Sequence, residues 1–89
     1  MSPSSDETCI VRVLLFAACA DAAGTGEATL KLPAGATVGD ALDALAADYP
    51  KLAPLRDRLA TAVDMEYVAP DRVLADGDEL ALVPPVSGG

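Results

Sequence analysis

The chain has 89 residues, a length that holds one domain with a single hydrophobic core. It contains no His, which excludes histidine-based acid–base catalysis and histidine metal ligands, and it has only two cysteines. Its formal net charge of −8 repels phosphate backbones and anionic lipid surfaces, so we expect neither nucleic acid nor a membrane as a partner.

The first eight residues are polar, and we expect residues 1–8 to form a disordered leader. Asp6 and Glu7 stand where a secretory signal peptide needs positive charge, which predicts a cytoplasmic protein. Cys9 and Cys19 form neither a CxxC redox pair nor a zinc pattern, so we expect two reduced, inert thiols and no metal site.

Two alternating segments predict a β-hairpin at the start of the domain. Residues 10–17 are rich in Val, Leu and Phe and predict the first strand, and residues 27–32 predict its partner. The small, Gly-containing stretch 19–26 between them is typical of a loop. In the first strand one face carries Val11, Val13, Leu15 and Ala17, and the other carries Arg12, Leu14 and Phe16.

One amphipathic helix follows the hairpin. Thr37 is a suitable N-cap, Asp40 stands three residues later near the positive end of the helix dipole, and Pro50 ends the helix. Its apolar stripe consists of Val38, Ala41, Leu42, Leu45 and Tyr49. A short helical turn is predicted at residues 54–59.

The last third of the chain is strand-like. Residues 62–63 and 67–68 can pair, and Asp76-Gly77-Asp78 is a turn signal; turn formation explains these two carboxylates better than cation binding does. Residues 79–83 predict a final strand. The order β-β-α-β-β-β predicts an α+β fold of the β-grasp (ubiquitin-like) type over residues 9–83, in which a mixed sheet packs on one main helix.

Residues 84–89 predict an extended tail that carries the chemistry. Pro84 and Pro85 have no N–H to donate, so they stop strand pairing and project the chain from the domain. Gly88 and Gly89 have no side chains and can enter a channel that a Cβ would block. The Gly89 carboxylate at such an end can be activated by ATP as an acyl-adenylate and then converted by sulfide or an enzyme persulfide to a thiocarboxylate; the alternative is that Gly88 and Gly89 are only a frayed terminus.

Three stretches of the chain resemble the MoaD family, the small subunits of molybdopterin synthase within the MoaD/ThiS superfamily. They are residues 11–17, the helix start at 37–42 and residues 74–89, whose ending Pro84, Pro85, Val86, Ser87, Gly88, Gly89 is the most specific part. Residues 19–24 lack the Arg-Glu pair that members often carry.

The resemblance implies a sulfur carrier that is not an enzyme by itself and holds no permanent cofactor. A ubiquitin-activating-like adenylyltransferase would use ATP on Gly89, and a sulfur donor enzyme would complete the thiocarboxylate. The tail of residues 84–89 would insert into the large subunit, within a heterotetramer, and give sulfur to cyclic pyranopterin monophosphate. The family analogy thus assigns this chain to molybdenum cofactor biosynthesis.

Apolar residues on the outer face of the sheet are candidates for docking to the large subunit, namely Leu14, Phe16 and Val83. The alternatives are that they pack under loops or that the strand register differs by one residue. For function, the alternatives are a carrier for thiamine or cysteine synthesis, a ubiquitin-like modifier that joins Gly89 to lysines, and a binding module with an idle tail. An iron–sulfur carrier is excluded because it needs four cysteines.

Overall fold

The structure is a computed structural model and describes residues 7–84. Its elements, in chain order, are β1 (Thr8–Leu15), α1 (Ala18–Ala23), β2 (Glu27–Pro33), α2 (Val38–Asp48), a 3₁₀ helix (Pro50–Arg58), β3 (Ala60–Val63), β4 (Glu66–Val68) and β5 (Glu79–Val83). The sheet order is β2-β1-β5-β3-β4. This is the β-grasp arrangement that the sequence predicts.

The pairing pattern places β5, the last strand, at the centre of the sheet. β5 runs parallel to β1, with Leu15 opposite Leu82, and antiparallel to β3, with Val63 opposite Leu80. The predicted hairpin of β1 and β2 is present, and β3 pairs with β4 around a two-residue turn at Asp64 and Met65. A central β5 means that the chain leaves the sheet between two other strands.

Strand alternation separates a core face from an open face, as the sequence predicts for β1. Cys9, Val11, Val13 and Leu15 are buried on the core face, and Leu80 and Leu82 of β5 are fully buried beside them. The helices cover this face, with Leu45 of α2 and Leu52 of the 3₁₀ helix in the same cluster. Each such side chain contributes roughly 1.5–3 kcal/mol when removed from water.

The prediction of a loop at residues 19–26 is partly wrong, because α1 occupies Ala18–Ala23. The alanines that look featureless in sequence are the strongest helix formers. Gly24 adopts a left-handed conformation and its N–H donates to the carbonyl of Ala20, which ends the helix. The anchor of this short helix is Cys19, which is fully buried in the core.

α2 begins as the sequence predicts. The Thr37 hydroxyl accepts from the Asp40 N–H, and the Asp40 carboxylate accepts from the Thr37 N–H, which forms a capping box. The α2 residues Val38, Ala41, Leu42 and Leu45 are buried, and Tyr49 is half-buried at the C-cap. The helical turn predicted at residues 54–59 is longer, because Pro50 starts the 3₁₀ helix instead of only ending α2.

A strained turn joins β1 to α1. Ala17, expected as the last inward residue of β1, is exposed and has φ 49° and ψ −123°. The Cys19 N–H donates to the Phe16 carbonyl at 2.9 Å, so Ala17 occupies the second position of a type II′ turn, which glycine normally fills. This turn fixes the direction in which the chain leaves β1 after Phe16.

Replacing Ala17 with Gly is expected to stabilise the fold by about 1 kcal/mol, because glycine removes the steric cost of this conformation. Ala20→Gly, inside α1, is the control and is expected to destabilise by about 1 kcal/mol. Urea unfolding monitored by circular dichroism measures both. A lower urea midpoint for Ala17→Gly than for the unmodified protein would contradict the assignment of strain.

Candidate functional site

The candidate site begins where β5 ends. Val83 is the last residue of β5, and Pro84 follows it half-buried and without an N–H to continue the sheet. Residues 85–89, which include the predicted site residues Pro85, Val86, Ser87, Gly88 and Gly89, lie outside the described residues. What the structure establishes is the base of the tail and its surroundings.

The end of β1 and the start of β3 flank the base of the tail. The Phe16 N–H donates to the Leu82 carbonyl at 3.4 Å, which places Phe16 beside Val83. Ala60 is the partner of Val83 on the other side. At Pro84 the chain therefore leaves the sheet from its middle and not from its edge.

The three predicted docking residues lie on the open face beside this base. Leu14 is opposite Ala81, one step before the row of Phe16 and Val83. Phe16 is 47% exposed, and Leu14 and Val83 are half-buried. The structure thus brings the three residues together, on the face opposite the helices.

The open face also carries an exposed aromatic side chain, Tyr67, that the sequence interpretation missed. Tyr67 of β4 is 72% exposed and pairs with Ala62, which in turn pairs with Ala81. Strand alternation puts Tyr67, Ala62, Ala81 and Leu14 in one row across the open face. The two alanines form a shallow floor between the larger side chains of Tyr67 and Leu14. The predicted pairing of residues 62–63 with 67–68 was the signal that could have placed Tyr67 there.

The far end of the open face is charged. Arg12 forms an ion pair with Glu27, and its guanidinium lies 3.8 Å from the Glu79 carboxylate. The hydrogen bond and the charge of Glu27 raise the pKa of Arg12 above its ordinary value. Arg12 therefore stays positively charged and balances two carboxylates at the end of the sheet away from Pro84.

Asp76 and Asp78 serve the turn before β5, as predicted. The Asp76 carboxylate accepts from the Ile10 N–H at 2.7 Å, and the Asp78 carboxylate accepts from the Ala75 N–H at 2.8 Å. Gly77 adopts a left-handed conformation and its N–H donates to the Ile10 carbonyl. Within residues 7–84, no cluster of three or more His, Cys, Asp or Glu side chains could hold a metal ion.

Both cysteines are free thiols in the core. Burial raises the pKa of the Cys19 thiol, so its reactive thiolate form is disfavoured. Cys9 is also buried, on the core face of β1. Their placement agrees with the prediction of inert residues.

We expect a maleimide reagent at about pH 8, close to the ordinary thiol pKa, to leave both cysteines unmodified while the protein is folded. Intact-mass spectrometry counts the adducts, and the same reaction in denaturant provides the control in which both thiols react. Rapid stoichiometric labelling of Cys19 in the native protein would contradict its burial and point to a reactive role.

In the part of the chain that the structure covers, no helix combines the length and the apolar character needed to cross a membrane.

Comparison with known proteins finds relatives that are sulfur carrier subunits and a small protein modifier. The model of the ThiS family matches residues 13–89. The molybdopterin synthase sulfur carrier subunit of Arabidopsis thaliana is 39% identical over 87 residues, which cover 96% of this chain and 91% of that protein. The small archaeal modifier protein 1 of Haloferax volcanii is 42% identical over 83 residues, which cover 84% and 95%.

Solved structures agree with the fold. The crystal structure of the Haloferax volcanii modifier superposes with a TM-score of 0.81 at 37% identity and covers 88% of this chain and 99% of that one. A chain from the complex of subunits 1 and 2 of the molybdopterin-converting factor of Helicobacter pylori has a TM-score of 0.63 at 23% identity, with 90% and 99% covered, and supports the fold alone. With a family model that spans residues 13–89 and curated relatives near 40% identity over most of their length, this chain belongs to the ThiS family of β-grasp proteins.

Proposed function

We propose that this protein is the sulfur carrier subunit of a molybdopterin synthase, with the Gly89 carboxylate as its working group. The observation that carries the proposal is the combination of a family match reaching Gly89 with a tail base at the centre of an open sheet face, beside Leu14, Phe16 and Val83. Because the chain leaves the centre of the sheet, a partner can bind the open face while the segment after Pro84 inserts into that partner. Several curated relatives, from Arabidopsis thaliana to Homo sapiens, are sulfur carrier subunits of molybdopterin synthase.

Sulfur loading proceeds in two steps that need no catalytic side chain on the carrier. A carboxylate oxygen of Gly89 attacks the α-phosphorus of ATP, which forms the acyl-adenylate and releases pyrophosphate. Sulfide then attacks the acyl carbon and AMP leaves, so one oxygen of the carboxylate is replaced by sulfur. Activation converts a poor electrophile into a good one, and the thiocarboxylate product is a stronger nucleophile than the carboxylate.

Three protein partners follow from this chemistry. A ubiquitin-activating-like adenylyltransferase supplies the first step, and a sulfur donor enzyme supplies the second. The large subunit of the synthase receives residues 84–89, holds cyclic pyranopterin monophosphate and accepts the sulfur, within a heterotetramer. We place this system in the cytoplasm, where the two free thiols of Cys9 and Cys19 remain reduced.

The open face is the proposed docking surface for the large subunit. Its apolar corner, defined as Leu14, Phe16, Ala81 and Val83, lies directly before the tail, so one partner can contact the corner and the tail at once. Aromatic residues that become fully desolvated in a contact commonly dominate its energy. Phe16, with about half of its surface exposed, is the candidate for that role.

The test is a reconstitution with two forms of the same chain, one prepared as the Gly89 thiocarboxylate and one with the ordinary carboxylate. With the large subunit and cyclic pyranopterin monophosphate, we expect dithiolene product only from the thiocarboxylate form. The unmodified form is the matched control, because its fold and surface are identical. No product from the thiocarboxylate, with a large subunit shown to work with its own carrier, would contradict the proposal.

A carrier for thiamine or cysteine synthesis remains the alternative within the same chemistry. It shares sulfur loading at Gly89 but delivers the sulfur to a different acceptor. The same thiocarboxylate form distinguishes the pathways when it is offered to each acceptor enzyme in turn. Preferential turnover by a thiazole or cysteine synthase would move this chain to that branch.

A second candidate function is protein modification, which the 42% identity to the small archaeal modifier protein 1 favours. In that role the acyl-adenylate of Gly89 reacts with a lysine amine, and an isopeptide bond replaces the bond to AMP. Cells that produce the chain with an epitope tag at its N-terminus would show a ladder of conjugates on an immunoblot. A ladder that disappears in a variant lacking Gly88 and Gly89 would establish this function.

A further inference from the structure

One long edge of the sheet is open. β2 lies at the end of the strand order, and within residues 7–84 no strand pairs with its outer side. The opposite edge strand, β4, has only three residues, and its Val68 carbonyl accepts from the Thr61 hydroxyl. β2 has seven residues and ends at Pro33. A long unpaired edge is a template for another strand.

The hydrogen-bond pattern shows which backbone groups of β2 face outward. The Leu15 N–H donates to the Gly26 carbonyl, and the Ala34 N–H donates to the Glu7 carbonyl. Since antiparallel bonds alternate along a strand, the even-numbered residues of β2 bond to β1 and the odd-numbered ones face outward. The outward N–H and carbonyl groups belong to Glu27, Thr29 and Lys31, and all three residues are exposed. The Thr25 hydroxyl already accepts from the Glu27 N–H and donates to the Glu27 carbonyl, so the strongest open positions on this edge are Thr29 and Lys31.

We propose that two copies of this chain associate through this edge, as an antiparallel β2–β2 pair centred on Thr29. In that register each Thr29 faces the other, and Glu27 of each copy, which also pairs with Arg12 of its own chain, faces Lys31 of the other copy. The outward backbone groups of Thr29 then bond across the contact, and those of Glu27 exchange the Thr25 hydroxyl for Lys31 of the second copy. The opposite charges stand directly opposite each other on the open face. The charges and backbone groups of this edge are thus complementary to those of the same edge in another copy. This self-complementarity is the reason to propose a second copy of the chain as the partner.

Neighbouring registers are less favourable for identifiable reasons. A shift by two residues in one direction places Glu27 opposite Pro33, which has no N–H to donate. A shift in the other direction places Lys31 opposite Thr25, which lies outside β2. Both shifts also separate Glu27 from Lys31. The charge pairs and Pro33 therefore select one register.

The association is expected to be weak. Each copy carries a net charge of −8, so two copies repel each other over the range of the Debye length. A strand-edge contact is also smaller than a stable protein–protein interface. We therefore expect dimers at about 100 µM to 1 mM protein and monomers at low micromolar concentration. The proposal does not rest on the sulfur carrier function, because it is argued from the backbone and charges of β2 alone, although Glu27 is the cross-strand neighbour of Leu14 in the apolar corner.

Sedimentation equilibrium of the full chain and two charge variants tests the contact. Lys31→Glu places Glu opposite Glu27, and Glu27→Lys places Lys opposite Lys31, so each variant alone is expected to dimerise at least about 10-fold more weakly. An equimolar mixture of the two variants restores both opposite-charge pairs and is expected to form the heterodimer. Lys51→Glu, an exposed residue of the 3₁₀ helix, is the matched control for the net-charge change of Lys31→Glu and leaves dimerisation unchanged.

A backbone variant tests the strand pairing itself. Thr29→Pro removes the outward N–H at the centre of the contact, where an edge strand tolerates proline, and is expected to abolish the dimer. Circular dichroism confirms that each variant is folded. A monomer at all concentrations overturns the proposal, and so does a dimer that survives Lys31→Glu. Failure of the variant mixture to associate also overturns it.

Discussion

Removing Gly88 and Gly89 is expected to abolish sulfur loading and transfer, with a loss of at least about 1000-fold in turnover with the activating enzyme. The truncated chain still ends in a carboxylate, but that carboxylate is shorter by two residues, or about 7 Å of extended chain. That carboxylate also belongs to Ser87, which has a Cβ that glycine lacks. A misplacement of even about 1 Å at a reacting group can reduce a rate by 100-fold.

The control for this truncation is Ser87→Ala, which keeps the length of the tail and both glycines. We expect it to retain turnover within about threefold, because the reacting carboxylate stays in place. Pyrophosphate release from ATP measures the adenylation step for all three proteins. Equal turnover of the truncated and full chains would show that the tail is idle.

Phe16→Asp is expected to weaken binding of the large subunit by at least about 100-fold while the domain stays folded. The Phe16 side chain is 47% exposed, so its replacement disturbs the core little. In a contact with the apolar corner, the same substitution removes an aromatic anchor and buries a carboxylate without a partner. Isothermal titration calorimetry with the large subunit measures the change.

The matched control is Val73→Asp, because Val73 is also an exposed apolar residue, at 54%. It lies in the segment that bridges to Thr37 at the start of α2, away from the apolar corner. We expect Val73→Asp to bind as the unmodified protein does. If the two variants bind equally well, the apolar corner is not the docking surface.

The sequence was most informative where periodicity and capping chemistry act locally. The alternation of β1 predicts its buried face, and Thr37 with Asp40 predicts the start of α2, because each pattern is stabilised by neighbours a few residues away. The positions of the candidate docking residues Leu14, Phe16 and Val83 on one face followed from the same alternation, and the structure brings them together.

Features that depend on long-range packing were not visible in the sequence. α1 was missed because its six residues owe their position to burial of Cys19 among distant strands and helices and not to a periodic pattern. The place of Tyr67 required the pairing of β4 with β3 and of β3 with β5. The positive φ of Ala17 contradicts the local preference of alanine and is imposed by the surrounding fold.

The intact mass of the protein, after incubation with a matching activating enzyme, ATP and a sulfide source, tests the central claim most directly. The account predicts a gain equal to the replacement of one oxygen by sulfur, localised to Gly89 by fragmentation. The truncated chain without Gly88 and Gly89 should show no gain under the same conditions. An unchanged mass of the full chain, with an activating enzyme that loads its own carrier in parallel, would contradict the sulfur carrier role.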